Sequence, residues 1–401
     1  MSWSVRPLSE VADFVLGKML DQAKNRGEPQ PYLANVNVRW GEFDLAELRE
    51  MRFEPHEMER YGLKPGDIVM CEGGEPGRCA LWKGQRENMM FQKALHRIRP
   101  HECLDSAFLY YTFRNFGAQN GFAPFFTGAT IKHLPREQLA KVPVRFPALS
   151  EQKAIAAVLS AYDDLIATNQ RRIALLEDAA RRLYREWFVH LRFPGHESVP
   201  VKDGVPEGWA KLPLGDVAEI TMGQSPESKY YNTDGDGLPF HQGVSDFGHR
   251  FVKHETYTKQ ATRIAEAGDI LCSVRAPVGR LNFTRDKIAI GRGLSAMRSR
   301  AGHQSLLFYQ LDALFVEEDM IGGGAIFASV GKKELFGQLV LQPSTNIAGT
   351  FNRLAADLDT QIENLDSQNQ ELAKARDLLL PKLMSGQLDV SGIRLPEELS
   401  A

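Results

Sequence analysis

The chain has 401 residues, of which 43% are hydrophobic and 25% charged, with a formal net charge of −3. That length holds two or three domains, each able to bury its own core, and the apolar content is that of a globular protein rather than a disordered or fibrous one. Near-neutral charge argues against a uniformly basic nucleic-acid coat, although a local basic face stays open because phosphate binding depends on where Lys and Arg sit.

No basic-then-apolar leader and no run of eighteen apolar residues is present, so neither a signal peptide nor a membrane span is expected. The four cysteines, Cys71, Cys79, Cys103 and Cys272, fit no zinc spacing. Their scarcity suits a reducing, cytoplasmic setting and buried or incidental thiols.

In chain order, "WSVRPLSEVADFVLGK" (Trp3 to Lys18) opens a first globular part. A β-rich run, "DIVMC", follows between Gly and Pro turns, and "SAFLYYTFRNFG" reads as an amphipathic helix. After Pro147 a long helix begins at Ser150 and Glu151. Pro, Gly and charge cluster in "HESVPVKDGVPEG" (His196 to Gly208), a linker. Then the plan restarts. "WAKLPLGDVAEITMGQ" (Trp209 to Gln224) matches the opening without a gap. "GDILCSVRAPVGR" parallels "GDIVMCEGGEPGR", and "LLFYQL" resembles "FLYYTF". Past Pro147 and Pro343 the copies align at a constant offset of 196. This period is too long for a solenoid and reads as a duplicated globular part followed by a duplicated helix. The expected boundaries are 1–149, first globular part; 150–193, first helix; 194–208, linker; 209–345, second globular part; 346–388, second helix; and 389–401, tail.

The helices carry a countable seam. Ile155, Leu159, Tyr162, Ile166, Asn169, Ile173, Leu176, Ala180, Leu183 and Trp187 alternate steps of four and three, and nine of the ten are apolar. In the second copy Phe351, Ala355, Leu358, Ile362, Leu365, Asn369, Leu372, Arg376, Leu379 and Leu383 do the same, with eight apolar. Heptads sustained this long predict a coiled coil. The polar members set the direction. A parallel pair in equal register would face Asn169 with Leu365 and Asn369 with Ile173, leaving two buried amides unpaired at about 1–3 kcal/mol each. An antiparallel pair faces the two amides with each other, and contact partners then have numbers summing to about 538, as for Ile155 with Leu383 and Trp187 with Phe351. The alternative, both amides beside the seam and bound to water, leaves direction open. Thirty-three residues of helix span about 50 Å, so an antiparallel pair would be a bar with one globular copy at each end, a calliper matching roughly one and a half turns of B-DNA.

Catalytic signatures are missing. "FASVGKKE" (Phe327 to Glu334) has Ile326 where a phosphate loop needs its first glycine and Lys333 where it needs Ser or Thr. "NTDGDG" (Asn232 to Gly237) has Gly243 at the twelfth position of a calcium loop, where Glu belongs, and reads as a turn. No dinucleotide fingerprint, HExxH, or Asn/Asp-Pro-Pro-aromatic stretch occurs. Neither catalysis nor a bound cofactor or metal is expected in this chain. Binding remains. Basic residues beside aromatics recur in loops of both copies: Asn37, Arg39 and Trp40; Arg78, Lys83 and Lys93; Lys132; then Arg250, Arg275, Arg280, Arg292 and Lys332. Arg and Lys reach guanine O6 and N7, Asn reaches adenine N6 and N7, and the cations hold phosphates.

The paired "PLSEVADFVLGK" and "PLGDVAEITMGQ" openings, the GDI strands, the helix entry "PALSEQKAIAAVLSAYDDLI" and the closing "LLLPKLMSGQLDV" together resemble the DNA-specificity (S) subunit of type I restriction-modification enzymes, over almost the whole chain. One departure is visible: "PSTNIAGTFNRLAADLDTQI" lacks the Glu-Gln pair of the first helix entry. The resemblance implies an α+β fold with two mixed α/β target recognition domains separated by two long antiparallel coiled-coil helices. It also implies a bipartite, asymmetric double-stranded DNA target, with the helices setting the gap. Implied partners are two DNA methyltransferase subunits, which use S-adenosylmethionine, and restriction/motor subunits, which use ATP and Mg. Helix-face arginines Arg171, Arg172, Arg181, Arg182 and Arg185 are candidates for docking them. Other readings are a methyltransferase or nuclease fused to recognition domains, a specificity subunit of a related defence complex, and a coiled-coil protein adapter that binds no DNA.

Overall fold

The computed structural model describes residues 3–19, 21, 25–316 and 329–390. It divides into two compact units, Met1–Asn169 with Gln368–Ala401, and Gln170–Ser367. Of the expected tail, 391–401 lies outside the described residues, as do Ile326, Phe327 and Ala328 of the stretch compared with a phosphate loop.

In the first unit, Ser4–Pro7 pairs antiparallel with Pro143–Phe146. A four-stranded antiparallel sheet follows in the order Ala12–Leu16, Leu95–Pro100, Ile68–Cys71, Cys79–Leu81. A second sheet sets Glu28–Leu33 between Arg49–Phe53 and Met90–Phe91. Helix Ser106–Ala118 closes the core, burying Phe108, Leu109 and Phe113 against Ile68, Met70 and Ile98. The second unit repeats this order. Ala210–Pro213 pairs with Leu339–Gln342, and its four-stranded sheet runs Ala218–Met222, Leu294–Ser299, Ile270–Ser273, Leu281–Phe283. Helix Gln304–Val316 packs Leu306, Leu307 and Phe308 on Ile270 and Met297. The internal repeat read from the sequence is therefore a repeat of topology in the strand pair, the four-stranded sheet and the helix, while the second sheet has three strands in the first unit and five in the second. Residues 194–208 include a small hairpin, Val201–Lys202 with Val205–Pro206. Asn232 Oδ1 accepts from the backbone of Asp234 and Asp236, so "NTDGDG" is an Asx-type turn.

The long helices are Leu149–Tyr184, continued by one π turn at Arg185–Val189, and Thr345–Met384, with Pro381 inside its last turn. All twenty seam residues are buried or half-buried. Pairing is antiparallel within each unit. In the first, Ile155 and Leu159 pack with Leu379 and Leu383, and Asn169, 2% exposed, donates from Nδ2 to Asn369 Oδ1 at 3.0 Å. In the second, Ile173 packs with Ile362 and Leu365, and Trp187 lies 5.8 Å from Phe351.

The Glu-Gln difference at the helix entries has a structural counterpart. Gln152 is fully buried, accepts from Asp105 N at 2.9 Å and donates to Cys103 O and Pro147 O, pinning the start of helix Ser106–Ala118. At the matching place in the second copy stands Ala348. There Asn352, one turn later, accepts from the backbone of Ser305 and Leu306 and docks the start of the equivalent helix instead.

Replacing Asn169 alone by Leu orphans the Asn369 amide in the half-buried seam and should lower stability by about 1–3 kcal/mol. The Asn169→Leu/Asn369→Leu double variant should recover most of that loss. Urea unfolding of the full chain checks both; equal losses in the single and double variants would mean the amides are not coupled.

Candidate nucleic-acid interface

Both units build the same loop cluster around the turn that follows the second core strand. In the first unit, Cys71 N bonds to Arg78 O and Gly77 N to Cys71 O. In the second, Ser273 N bonds to Arg280 O and Gly279 N to Ser273 O. Each turn needs its glycine: Gly279 has φ +81°, and a Cβ there would sit 2.7 Å from the Phe315 ring. Two further loops are tied to the turn. Glu72 N bonds to Ala94 O and Leu134 N to Glu72 O; likewise Val274 N bonds to Gly293 O and Val330 N to Val274 O. The backbone thus gathers the loops bearing Arg78, Lys93 and Lys132 in one unit, and those bearing Arg275, Arg280 and Arg292 in the other.

Side chains differ on this shared frame. In the first unit the Arg78 guanidinium donates to Glu75 at 2.6 Å and to Asn35 O at 2.9 Å, and the Trp40 indole donates to Glu75 at 3.2 Å. Glu72 lies 3.7 Å from His133. Lys93, Lys132 and Arg39 are exposed. In the second unit Val274 and Pro277 stand where the first has Glu72 and Glu75, and Arg275 where it has Gly73. Arg275 and Arg292 flank a depression of about 130 Å³ whose other walls are Gln242, Gly243, Val244, Ser273, Ala276 and Gly293. Among the described residues no carboxylate lines it. Arg280 is exposed at the end of the same turn.

Behind that wall runs a polar chain. His241, fully buried, contacts Asp246 at 3.0 Å and His254 at 2.9 Å, and His254 contacts Asp286 at 3.0 Å. It closes the short helical turn Val244–Asp246 against the sheet. Burial pushes the His241 pKa down, with Asp246 opposing.

The type I restriction modification DNA specificity domain family matches residues 2–178. Full-length relatives extend the match. A Methanocaldococcus jannaschii chain named as the MjaX specificity subunit of a type I restriction enzyme is 28% identical, covering 97% of this chain and 94% of that one. The MjaIX specificity subunit of the same organism is 25% identical with the same coverage of each chain. The type I restriction-modification S subunit from M. genitalium shares the fold at a TM-score of 0.59 and 17% identity, with 96% of each chain covered. Over nearly its whole length the chain is similar to specificity subunits of type I restriction enzymes.

Two candidate residues turn inward, which corrects the sequence reading. Arg250 is 4% exposed: its guanidinium binds Asp359, lies 3.6 Å from Glu177, and stacks 4.1 Å from the centre of the Phe308 ring. Asn37, 7% exposed, accepts from Ala34 N and donates to Asp44 O, holding its own turn. Neither side chain is free to meet a base. Lys83 lies apart from the cluster, 2.6 Å from Asp164 on the first long helix. Lys332 is exposed at the start of helix Lys332–Gly337, over the Phe336 ring. Gln242, which also lines the depression, belongs to no repeated basic motif in the sequence. Its one signal is its place directly after the strand Leu238–His241. No helix among the described residues is long and apolar enough to cross a membrane.

His96, on the strand Leu95–Pro100, holds the loop at Leu134 by its contact with Leu134 O at 2.9 Å, and burial pushes its pKa down. Below the ordinary histidine range, about pH 6.5, the unfolded chain takes up a proton that the folded ring refuses. Stability should therefore fall as pH drops and recover as it rises. Urea midpoints at about pH 5.5 and 7.5 check this, with a smaller difference expected in His96→Gln; an unchanged difference would assign the effect to other groups.

Proposed function

We propose that this chain reads a bipartite, asymmetric double-stranded DNA target and assembles DNA methyltransferase and restriction/motor subunits around it, supplying no catalytic group itself. One observation carries the reading: the same rigid loop cluster occurs once per unit, with different charge on it. A repeated frame supports two half-sites, and different side chains on that frame support unlike sequences in them. S-adenosylmethionine, ATP and Mg belong, in this reading, to the partner subunits. For partner docking, Arg171, Arg172 and Arg185 are the better candidates on the first long helix, being exposed. Arg181 is engaged by Asp312 at 2.8 Å and Arg182 by Asp178 at 2.7 Å.

The test is selection from random duplex DNA over a range of salt, with and without a methyltransferase subunit, followed by sequencing of the bound pool. Two short unlike motifs at fixed spacing are expected. Affinity should fall with log[salt] at a slope of about −0.9 per phosphate contact. A pool that stays random with the partner present overturns the reading in favour of a protein adapter.

A further inference from the structure

The two turns at 71–78 and 273–280 are closed by the same pair of main-chain hydrogen bonds but carry opposite charge. The first holds Glu72, Glu75 and Arg78, and its one guanidinium is occupied by Glu75 and Asn35 O. The second holds Arg275 and Arg280 and no acid. Arg275 and Arg292 are both exposed, and among the described residues no carboxylate pairs with either.

Resting on the reading above, we propose that the half-site met by the second unit contains guanine, and that Arg275 and Arg292 select it. Three features favour a base edge over a phosphate. A guanidinium fork matches guanine O6 and N7 with two parallel bonds, a geometry no other base offers it. Such a match requires a fixed origin for the side chain, and both origins are fixed. Ser273 Oγ donates to Pro277 O at 2.6 Å and accepts from Arg280 N at 2.9 Å, which locks the Arg275 turn across its width. The Arg292 amide donates to Ser225 Oγ at 3.1 Å, and Gly293 N to Gln242 O at 3.2 Å. A phosphate contact requires charge but no such register. Finally, the floor between the arginines is small and close-built: a Cβ at Gly293 would lie 2.3 Å from Gln242 O. A base edge can approach that floor, and Gln242 stands at its rim as a second reader. The first unit has Gly73 where Arg275 stands, so its half-site should lack the same contact.

The experiment is the same random-duplex selection, run with the full chain and its methyltransferase partner for wild type, Arg275→Ala, Arg275→Lys and Arg292→Ala. Wild type should return guanine in one half-motif. Each Ala variant should relax a guanine position in that half alone, lowering cognate affinity by roughly five- to 150-fold. Arg275→Lys should keep the salt slope and weaken the selectivity, because an ammonium reaches O6 and N7 without a rigid fork. The untouched half-motif reports that each variant is folded and assembled. The proposal is overturned if the Ala variants weaken all sequences equally while the motif survives, with the salt slope reduced by about one; the arginines would then hold phosphates. A wild-type motif without guanine in either half overturns it as well. A wild type with no motif at all instead removes the recognition reading on which it rests.

Discussion

Each globular part is fastened to its helices in part through an aspartate that stands at the same place in both copies. Asp163 on the first long helix accepts from the Tyr111 hydroxyl at 2.7 Å, and Asp359 on the second accepts from Tyr309 at 2.9 Å. The two aspartates occupy the same place in the repeat, as do the two tyrosines. A carboxylate packed beneath a helix in this way needs a cation, since leaving such a charge unpaired costs several kcal/mol. The copies meet the need differently. In the first unit Arg376, 8% exposed, reaches Asp163 from the opposing helix. In the second, Ala180 stands at the equivalent seam position, and Arg250 comes to Asp359 from a loop of the globular part. One electrostatic requirement has been kept while its source moved. Burial and the neighbouring carboxylate both push the Tyr111 hydroxyl up, so it stays a donor.

The same logic of retained frame and exchanged side chains runs through the helix entries and the loops. Gln152 and Asn352 dock their neighbouring helices from positions one turn apart. Both accept backbone N–H groups at a helix start, where donors are otherwise orphaned. Turns 71–78 and 273–280 are closed by the same pair of main-chain hydrogen bonds although the acids of the first are missing from the second, which gains Arg275. Backbone pairing needs no particular side chain, so it survives divergence, whereas every exposed position on the turn is free to change.

How much of this was legible in the sequence follows from the range of each interaction. The seam was read residue by residue because helical burial repeats every three and four positions, and all twenty of its members are in fact covered. Direction followed from two amides, since a buried amide must find a partner. Arg376 counted only as a polar member of the seam because its partner Asp163 lies 213 residues away. Arg250 looked like a DNA-facing cation for a related reason: "DFGHRF" shows a charge beside aromatics, and only the fold decides that the aromatics beneath it, Phe283 and Phe308, bury it. The recurrence of basic loops at matching places pointed to Arg275 and Arg292, but their convergence on one depression comes from strand pairing that no local pattern records.

Those misreadings and successes bear on how such a chain acquires a new target. A recognition loop that carried part of the core could not be altered without loss of stability. Here the tasks are separated. Arg250, Asn37, Gln152 and Asn352 satisfy buried partners and hold the frame, while Arg275, Arg280, Arg292, Lys93 and Lys132 project from turns whose geometry is set by main-chain bonds and by Gly77 and Gly279. Substitution at the second group changes charge and hydrogen-bonding reach without leaving a buried group unpaired, so its cost to stability is small. Substitution at the first group does leave one. The distinction between the two classes of arginine, alike in sequence and opposite in burial, is what allows the two halves of one chain to hold a common backbone and present different chemistry from it.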